Sequence, residues 1–175
     1  RLARWTFFYV VCNQLVLLVV VNLASGAPKD RGYPSYTNAF LLWQLPHAVV
    51  AVSVITALLP AMSRAAHDGR LDVLRAQLDR GLRTTTALMV PAATALVVLG
   101  VSVATTVFGH GRTSLDQARF MGELLAVFAC GLVAFSTYQL QLRAFYALQD
   151  TRTPALVNLV VNAVTVGVDV AVYLL

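Results

Sequence analysis

The chain has 175 residues, of which 58% are apolar and only 12% are charged, and its mean hydropathy is +0.72. An ordinary soluble domain is roughly 45–50% apolar and about 25% charged, so 21 charged side chains (13 basic and 8 acidic) are too few to cover a soluble protein of this length. This composition argues against a soluble enzyme, a disordered chain and a nucleic-acid-binding domain, and it favours a membrane protein.

Five apolar stretches divide the chain, and each is long enough to cross a hydrocarbon core of about 30 Å as a helix. Lipid cannot hydrogen-bond to backbone groups, so open strands are unstable in it and helices are expected. We therefore predict an all-α, polytopic membrane protein with about five transmembrane helices in a single transmembrane region. The predicted spans are residues 5–27, 36–62, 84–108, 120–143 and 154–175.

Basic residues indicate how these spans are oriented, because loops that face the cytoplasm carry an excess of lysine and arginine. With the N-terminus in the cytoplasm, about nine basic residues fall inside and about four outside. The opposite orientation would place most arginines outside, so we predict a cytoplasmic N-terminus. The formal net charge of +5 is then mainly a signal of topology.

Two connections carry signals of their own. Residues 68–83 form a predicted cytoplasmic link between the second and third spans, with a leucine on one face at every third or fourth position. An amphipathic helix lying on the inner leaflet and a plain helical connector both fit this pattern. Thr153 and Pro154 predict the N-cap and the first residue of the last helix.

Pro46 lies in the middle of the second predicted span, where a proline removes a helix hydrogen bond and produces a kink. Bent helices line substrate paths in transporters, although membrane helices also tolerate proline without a functional reason. His47 has the alternative interpretation of a hydrogen-bonded packing residue. The residues that we predict to line a cavity are Asn38, Gln44, Pro46, His47 and Ser53.

Asp169 places a carboxylate inside the last predicted span, where an ionisable group is costly and usually faces a polar interior or an ion. Thr165 lies one turn earlier on the same helix face. A cation or proton site and a hydrated residue near the outer interface are both consistent with this placement. The other polar residues of the spans, such as Asn13, Asn158 and Asn162, are expected to form hydrogen bonds between helices.

Neither a catalytic nor a metal-binding pattern occurs in the sequence. No nucleophile, histidine and acid can be grouped, no phosphate-binding loop is present, and Cys12 and Cys130 stand singly in apolar runs. We therefore expect no enzyme activity and no cofactor. Basic residues are scattered without interleaved aromatics, so no nucleic-acid partner is expected. Apolar sequence at both ends leads us to expect a piece of a larger protein.

Two segments resemble the MurJ/MviN family of lipid II flippases. Residues 44–63, QLPHAVVAVSVITALLPAMS, are similar to the family's eighth transmembrane helix, and residues 143–154, RAFYALQDTRTP, are similar to the loop between its helices ten and eleven. The segments FGHG at 108–111 and NLAS at 22–25 fit the same pattern. The resemblance covers essentially the whole chain with order and spacing preserved.

The resemblance implies helices seven to eleven of fourteen, most of the second lobe of a two-lobe transporter of the MATE-like superfamily. It implies alternating-access transport of lipid II, the undecaprenyl-pyrophosphate-linked peptidoglycan precursor, across the bacterial inner membrane for cell-wall synthesis. The alternatives are a multidrug or polysaccharide exporter of the same superfamily and a non-transporting scaffold for cell-wall enzymes. The Val-, Ala- and Arg-rich composition with a single lysine is typical of a high-GC actinobacterium.

The resemblance also implies partners and candidate sites. The partners would be lipid II, the membrane, the first lobe and remaining C-terminal helices of the same protein, and regulatory or cell-wall-synthesis proteins. Sodium or proton coupling stays open, and the family's cation site matches Asn22, Thr165 and Asp169. Asn22 is neutral where a carboxylate can occur in the family. Leu41 stands where family members often place a cavity-facing arginine.

Overall fold

A computed structural model describes residues 2–25, 32–111 and 113–174, and these ranges are almost wholly helical. A π-helical turn, His47–Ala51, joins the second helix to the third. No strand occurs within these ranges, so the predicted all-α fold is confirmed. The helices are α1 (Leu2–Ser25), α2 (Tyr33–Pro46), α3 (Val52–His67), α4 (Leu71–Phe108), α5 (Leu115–Cys130), α6 (Leu132–Ala147) and α7 (Arg152–Leu174).

The chain forms two compact units, one of residues 1–33 with 149–175 and one of residues 34–148. In the first unit α1 packs against α7. In the second unit α4 is the central helix, because it packs against α3, α5, α6 and the π-helical turn. Two buried clusters hold this second unit together. One contains Ala39, Trp43, Met89, Leu125 and Leu132, and the other contains Met62, Ala65, Leu74 and Ala144.

The helices have the length and surface of membrane helices. Within the described ranges, residues 33–67 and α4 are each long and apolar enough to cross a membrane, and α5 with α6 would be a third span if the bent pair counts as one. Large apolar side chains lie on the outside, including Val49 at 68% exposure and Val98 at 71%. The crossings predicted at 5–27 and 154–175 fall on α1 and α7 and stay predictions.

The predicted link at 68–83 is continuous with the third predicted span. Residues 71–83 form the first turns of α4, which runs unbroken for 38 residues, about 57 Å, through Pro91. The charged residues 71–83 and the apolar residues 84–108 both follow the spacing of an α-helix, and no residue between the two segments ends the helix. Leu74 and Gly81 are buried on this segment, so it stands against α3 and α6. The chain enters it through a tight turn in which Gly69 has φ +69°.

Two further helix boundaries differ from the prediction. The span predicted at 120–143 consists of α5 and α6, which meet at a bend of 51°. Gly131 lies at this bend, and glycine is a poor helix former that leaves the backbone free to change direction. The last helix begins at Arg152 rather than at Pro154.

Asp150 explains where the last helix starts. Its Oδ1 accepts hydrogen bonds from the backbone N–H groups of Arg152 at 2.9 Å and of Thr153 at 3.1 Å. Hydrogen bonds from Thr153 lower the pKa of the Asp150 carboxyl, so the carboxylate is ionised at neutral pH. A negative charge just before the first turn is also stabilised by the positive end of the helix dipole. Aspartate therefore takes the capping role that the sequence analysis assigns to Thr153.

Glycines allow α4 and α5 to approach closely. A Cβ atom on Gly122 would fall against Val101 Cα and 2.9 Å from the carbonyl oxygen of Gly100. A Cβ atom on Gly100 would lie 3.0 Å from the carbonyl oxygen of Gly122. Small residues of this kind drive helix association in lipid, where apolar side chains gain nothing by leaving the solvent.

We predict that Gly122→Ala destabilises the full-length protein by about 1–3 kcal/mol, because the added methyl group overpacks the α4–α5 contact. Thermal unfolding in detergent measures the change. Gly167→Ala is the matched control, since a Cβ atom on Gly167 meets no atom within 4 Å. Equal stability of Gly122→Ala and the unmodified protein would contradict this account of the helix contact.

Candidate functional site

The π-helical turn positions the predicted cavity residue His47. Pro46 has no N–H group, so the carbonyl four residues before it loses its usual helical partner. The helix widens at this point, and the N–H of Val52 donates to the carbonyl oxygen of His47, five residues earlier. The site of the bend predicted at Pro46 is therefore a wide π-helical turn within a continuous helical stretch from Tyr33 to His67, and the bend itself stays a prediction.

A side-chain hydrogen bond joins this turn to α6. Nδ1 of His47 lies 3.0 Å from Oγ of Ser136. The imidazole ring also stands edge to face against Phe135, with ring centroids 4.8 Å apart. Ser136 is completely buried and His47 is half-buried. The hydrogen bond satisfies a polar group that would otherwise be costly to bury.

An aromatic cleft of about 320 Å³ lies between α2 and α5. The ring of Phe128 stands edge to face against Tyr36, with centroids 5.3 Å apart. The indole N–H of Trp43 is buried without a hydrogen-bond partner among the described residues. No charged side chain contributes to the cleft wall, so it can accept apolar or flat aromatic groups. The wall is made of Tyr36, Phe40, Trp43, Val127, Phe128 and Gly131.

The other predicted cavity residues have different surroundings. Asn38 and Gln44 are half-buried on α2, close in sequence to the turn. Ser53 is exposed, and its hydroxyl donates to the carbonyl oxygen of Val49 on its own helix. Leu41, the expected counterpart of the family's arginine, is 55% exposed. The exposed face of α2 at this point therefore carries no charge.

The cation-site candidates lie on α1 and α7 of the first unit. Asn22 is exposed on α1, and Thr165 is exposed on α7 with its hydroxyl donating to the carbonyl oxygen of Val161 at 3.0 Å. Within the described residues, no hydrogen bond joins Asn22 to Thr165. The backbone of Asp169 is part of α7, but its side chain lies outside the described residues. The structure therefore leaves the grouping of these three residues as a prediction.

An asparagine ladder connects the same two helices. The amide of Asn13 donates to Oδ1 of Asn158 at 3.1 Å, and the amide of Asn162 donates to the same oxygen at 3.0 Å. Asn158 is only 6% exposed. This contact agrees with the interhelical role expected for these residues. On α7 the spacing of Asn158, Asn162, Thr165 and Asp169 is 4, 3 and 4 residues, so they share one helix face.

Ser136 is the site residue that the sequence analysis does not single out. The sequence gives only a weak indication of this role, because a lone serine within an apolar stretch commonly hydrogen-bonds to the backbone of its own helix. Its role becomes visible only when the fold brings α6 against the π-helical turn. Among the described residues there is no group of three or more His, Cys, Asp or Glu side chains that could hold a metal ion.

Comparison with known proteins gives one consistent result. The family model for lipid II flippase MurJ matches residues 1–175. The probable lipid II flippase MurJ of Rhizobium meliloti is 33% identical over 162 residues, covering 93% of this chain and 29% of the relative. The lipid II flippase MurJ of Burkholderia cenocepacia is 33% identical over 159 residues, covering 90% of this chain and 30% of the relative. The chain thus spans about three tenths of the length of these curated relatives.

A solved structure has the same fold. The lipid II flippase MurJ in an inward closed conformation matches with a TM-score of 0.82 and 23% identity, covering 94% of this chain and 34% of that chain. At this level of identity the likeness concerns the fold alone.

We predict that His47 and Ser136 are energetically coupled. His47→Ala and Ser136→Ala should each destabilise the full-length protein, and the double variant should lose less than the sum of the two. The expected coupling is about 0.6 kcal/mol, as for other hydrogen bonds between membrane helices. A double-mutant cycle on unfolding measures it. His47→Ala with Ser53→Ala is the control cycle, because the Ser53 hydroxyl bonds to its own helix. Additive effects in both cycles would refute the coupling.

Proposed function

Because the chain belongs to the MurJ family of lipid II flippases, we propose that it forms most of the second lobe of a transporter that moves lipid II across the bacterial inner membrane. The match of the family model over residues 1–175 is the observation that carries this proposal. The rest of the protein would supply the first lobe and the remaining C-terminal helices. The process moves a lipid between leaflets without covalent chemistry, so the protein is a transporter and not an enzyme.

The charges of the second unit support a multi-pass protein with a cytoplasmic N-terminus. The C-terminal parts of α3 and α6, the first turns of α4 and the turn before α4 place six arginines and three aspartates on one side of this unit. Around the beginning of α5, the sequence carries Arg112, Asp116, Arg119 and Glu123, a net charge of zero. The excess of arginine on the first side is what the positive-inside rule expects of a cytoplasmic face.

The π-helical turn after Pro46 suits a helix that lines a substrate path and changes shape during transport. The π-helical turn widens the backbone between α2 and α3, and the cleft beside it is apolar. Leu41 leaves the exposed face of α2 without a positive charge. We therefore propose that this chain provides an apolar wall for the lipid, and that residues elsewhere in the protein meet the charge of the pyrophosphate.

An ion gradient would supply the driving force, without a cofactor. The polar face of α7 from Asn158 to Asp169 is the proposed path for a coupling cation or proton, together with Asn22 on α1. A carboxylate inside a membrane span is costly and is retained where it binds an ion or a proton.

We predict that Asp169→Asn in the full-length protein abolishes the dependence of transport on a sodium or proton gradient, because the amide cannot carry the negative charge. Lipid transport by proteoliposomes with and without each gradient measures this. Glu123→Gln is the control, since this exposed carboxylate lies near the start of α5. Unchanged gradient dependence of Asp169→Asn would eliminate the proposed ion site.

We predict that depletion of the full-length protein in its host makes lipid II accumulate in the inner leaflet. Labelling of lipid II at the outer surface should fall, and re-expression of the intact protein should restore it. Normal outer-surface labelling after depletion would refute the flippase function. That result would favour a drug or polysaccharide exporter, or a scaffold for cell-wall enzymes.

A further inference from the structure

Three arginines surround one small buried cluster in the second unit. Each is the immediate sequence neighbour of a cluster member: Arg64 precedes Ala65 on α3, Arg75 follows Leu74 on α4, and Arg143 precedes Ala144 on α6. Because these neighbours pack together, the three arginines lie at one level around the end of the helix bundle. We call Arg64, Arg75 and Arg143 the arginine belt.

The belt has no ion-pair partner among the described residues. All three arginines are exposed. Three other arginines of the same unit are paired: Arg70 with Asp68 at 3.5 Å, Arg83 with Asp79 at 2.9 Å and Arg119 with Asp116 at 3.6 Å. Arg80 on α4 is, like the belt, exposed and without an ion pair among the described residues. The belt arginines thus form no ion pair among the described residues, although Asp72 and Asp79 lie one turn from Arg75 on α4.

The surrounding charges do not neutralise the belt. The residues at this end of the unit are Arg64, Arg70, Arg75, Arg80, Arg83 and Arg143 against Asp68, Asp72 and Asp79, a net charge of +3. His67 is exposed nearby and adds no negative charge. Like charges around one cluster repel each other, so a bound anion would stabilise this end.

The belt lies where two apolar helices end. Residues 32–63 carry no Asp, Glu, Lys or Arg, and Arg64 is the next residue. Residues 124–142 are likewise free of these residues, and Arg143 follows them. A membrane helix leaves the hydrocarbon where its apolar stretch ends, and the phosphates of the lipid head groups lie at that depth. Arginine binds phosphate through two parallel hydrogen bonds from its planar guanidinium group.

We propose that the arginine belt is a binding surface for the head groups of anionic phospholipids in the leaflet at this end of the second unit. The phospholipid phosphates form the ion pairs that these arginines lack among the described residues. The proposal concerns bulk membrane lipid and does not depend on which substrate the protein transports.

Native mass spectrometry of the full-length protein, titrated with phosphatidylglycerol or with phosphatidylcholine, tests this proposal. The triple variant Arg64→Gln, Arg75→Gln, Arg143→Gln should bind phosphatidylglycerol at least about fivefold more weakly than the unmodified protein. Binding of phosphatidylcholine, which has no net charge, should change little. The triple Arg→Lys variant keeps the charges and should retain most of the phosphatidylglycerol binding.

A matched control removes the same charge from paired arginines. The triple variant Arg70→Gln, Arg83→Gln, Arg119→Gln should retain phosphatidylglycerol binding, because Arg70 and Arg83 at the belt end already have carboxylate partners. Arg119 is also paired and lies away from the belt, at the beginning of α5. Thermal unfolding of each variant shows whether it is folded. Unchanged phosphatidylglycerol binding by the folded belt variant, or an equal loss in both triple glutamine variants, would overturn the proposal.

Discussion

The second unit depends on how closely two helices can approach without side chains between them. In lipid, burial of apolar surface does not drive helices together, so packing at short range has to do so. Gly100 and Gly122 meet this requirement, because each presents bare backbone to the other helix. Ala104 and Ala118 are also completely buried and extend this run of small residues on the same two helices. The remaining helices of the unit pack around α4, and the contact between Gly100 and Gly122 holds α4 against α5.

A second feature of the unit is that its two helix irregularities lie close together. The π-helical turn follows Pro46, and the bend between α5 and α6 lies at Gly131, five residues before Ser136. The hydrogen bond between His47 and Ser136 joins the two regions directly. Local irregularities of this kind let a membrane helix change direction without exposing unsatisfied backbone groups to lipid.

The sequence predicts the helical fold well, because charge-free stretches and hydropathy reflect directly what lipid tolerates. It predicts helix ends less well, since the charged segment before Thr84 has the same helical period as the apolar segment after it. The bend at Gly131 cannot be predicted from the sequence, because a single glycine is also tolerated within a straight membrane helix. At the start of α7, Asp150 and Thr153 are both good capping residues, and only the fold decides between them.

The length of α4 determines how far one end would move if the helix tilted at the other. α4 extends for about 44 Å from Gly100 to Leu71, so a tilt of about 10° at the Gly100 contact would move the Leu71 end by about 8 Å. The helix is unbroken over this length, and its proline at 91 does not interrupt it. A small rotation where α4 meets α5 would therefore become a larger displacement at the opposite end. Because Leu74 and Gly81 pack against α3 and α6, such a tilt would have to move these helices as well.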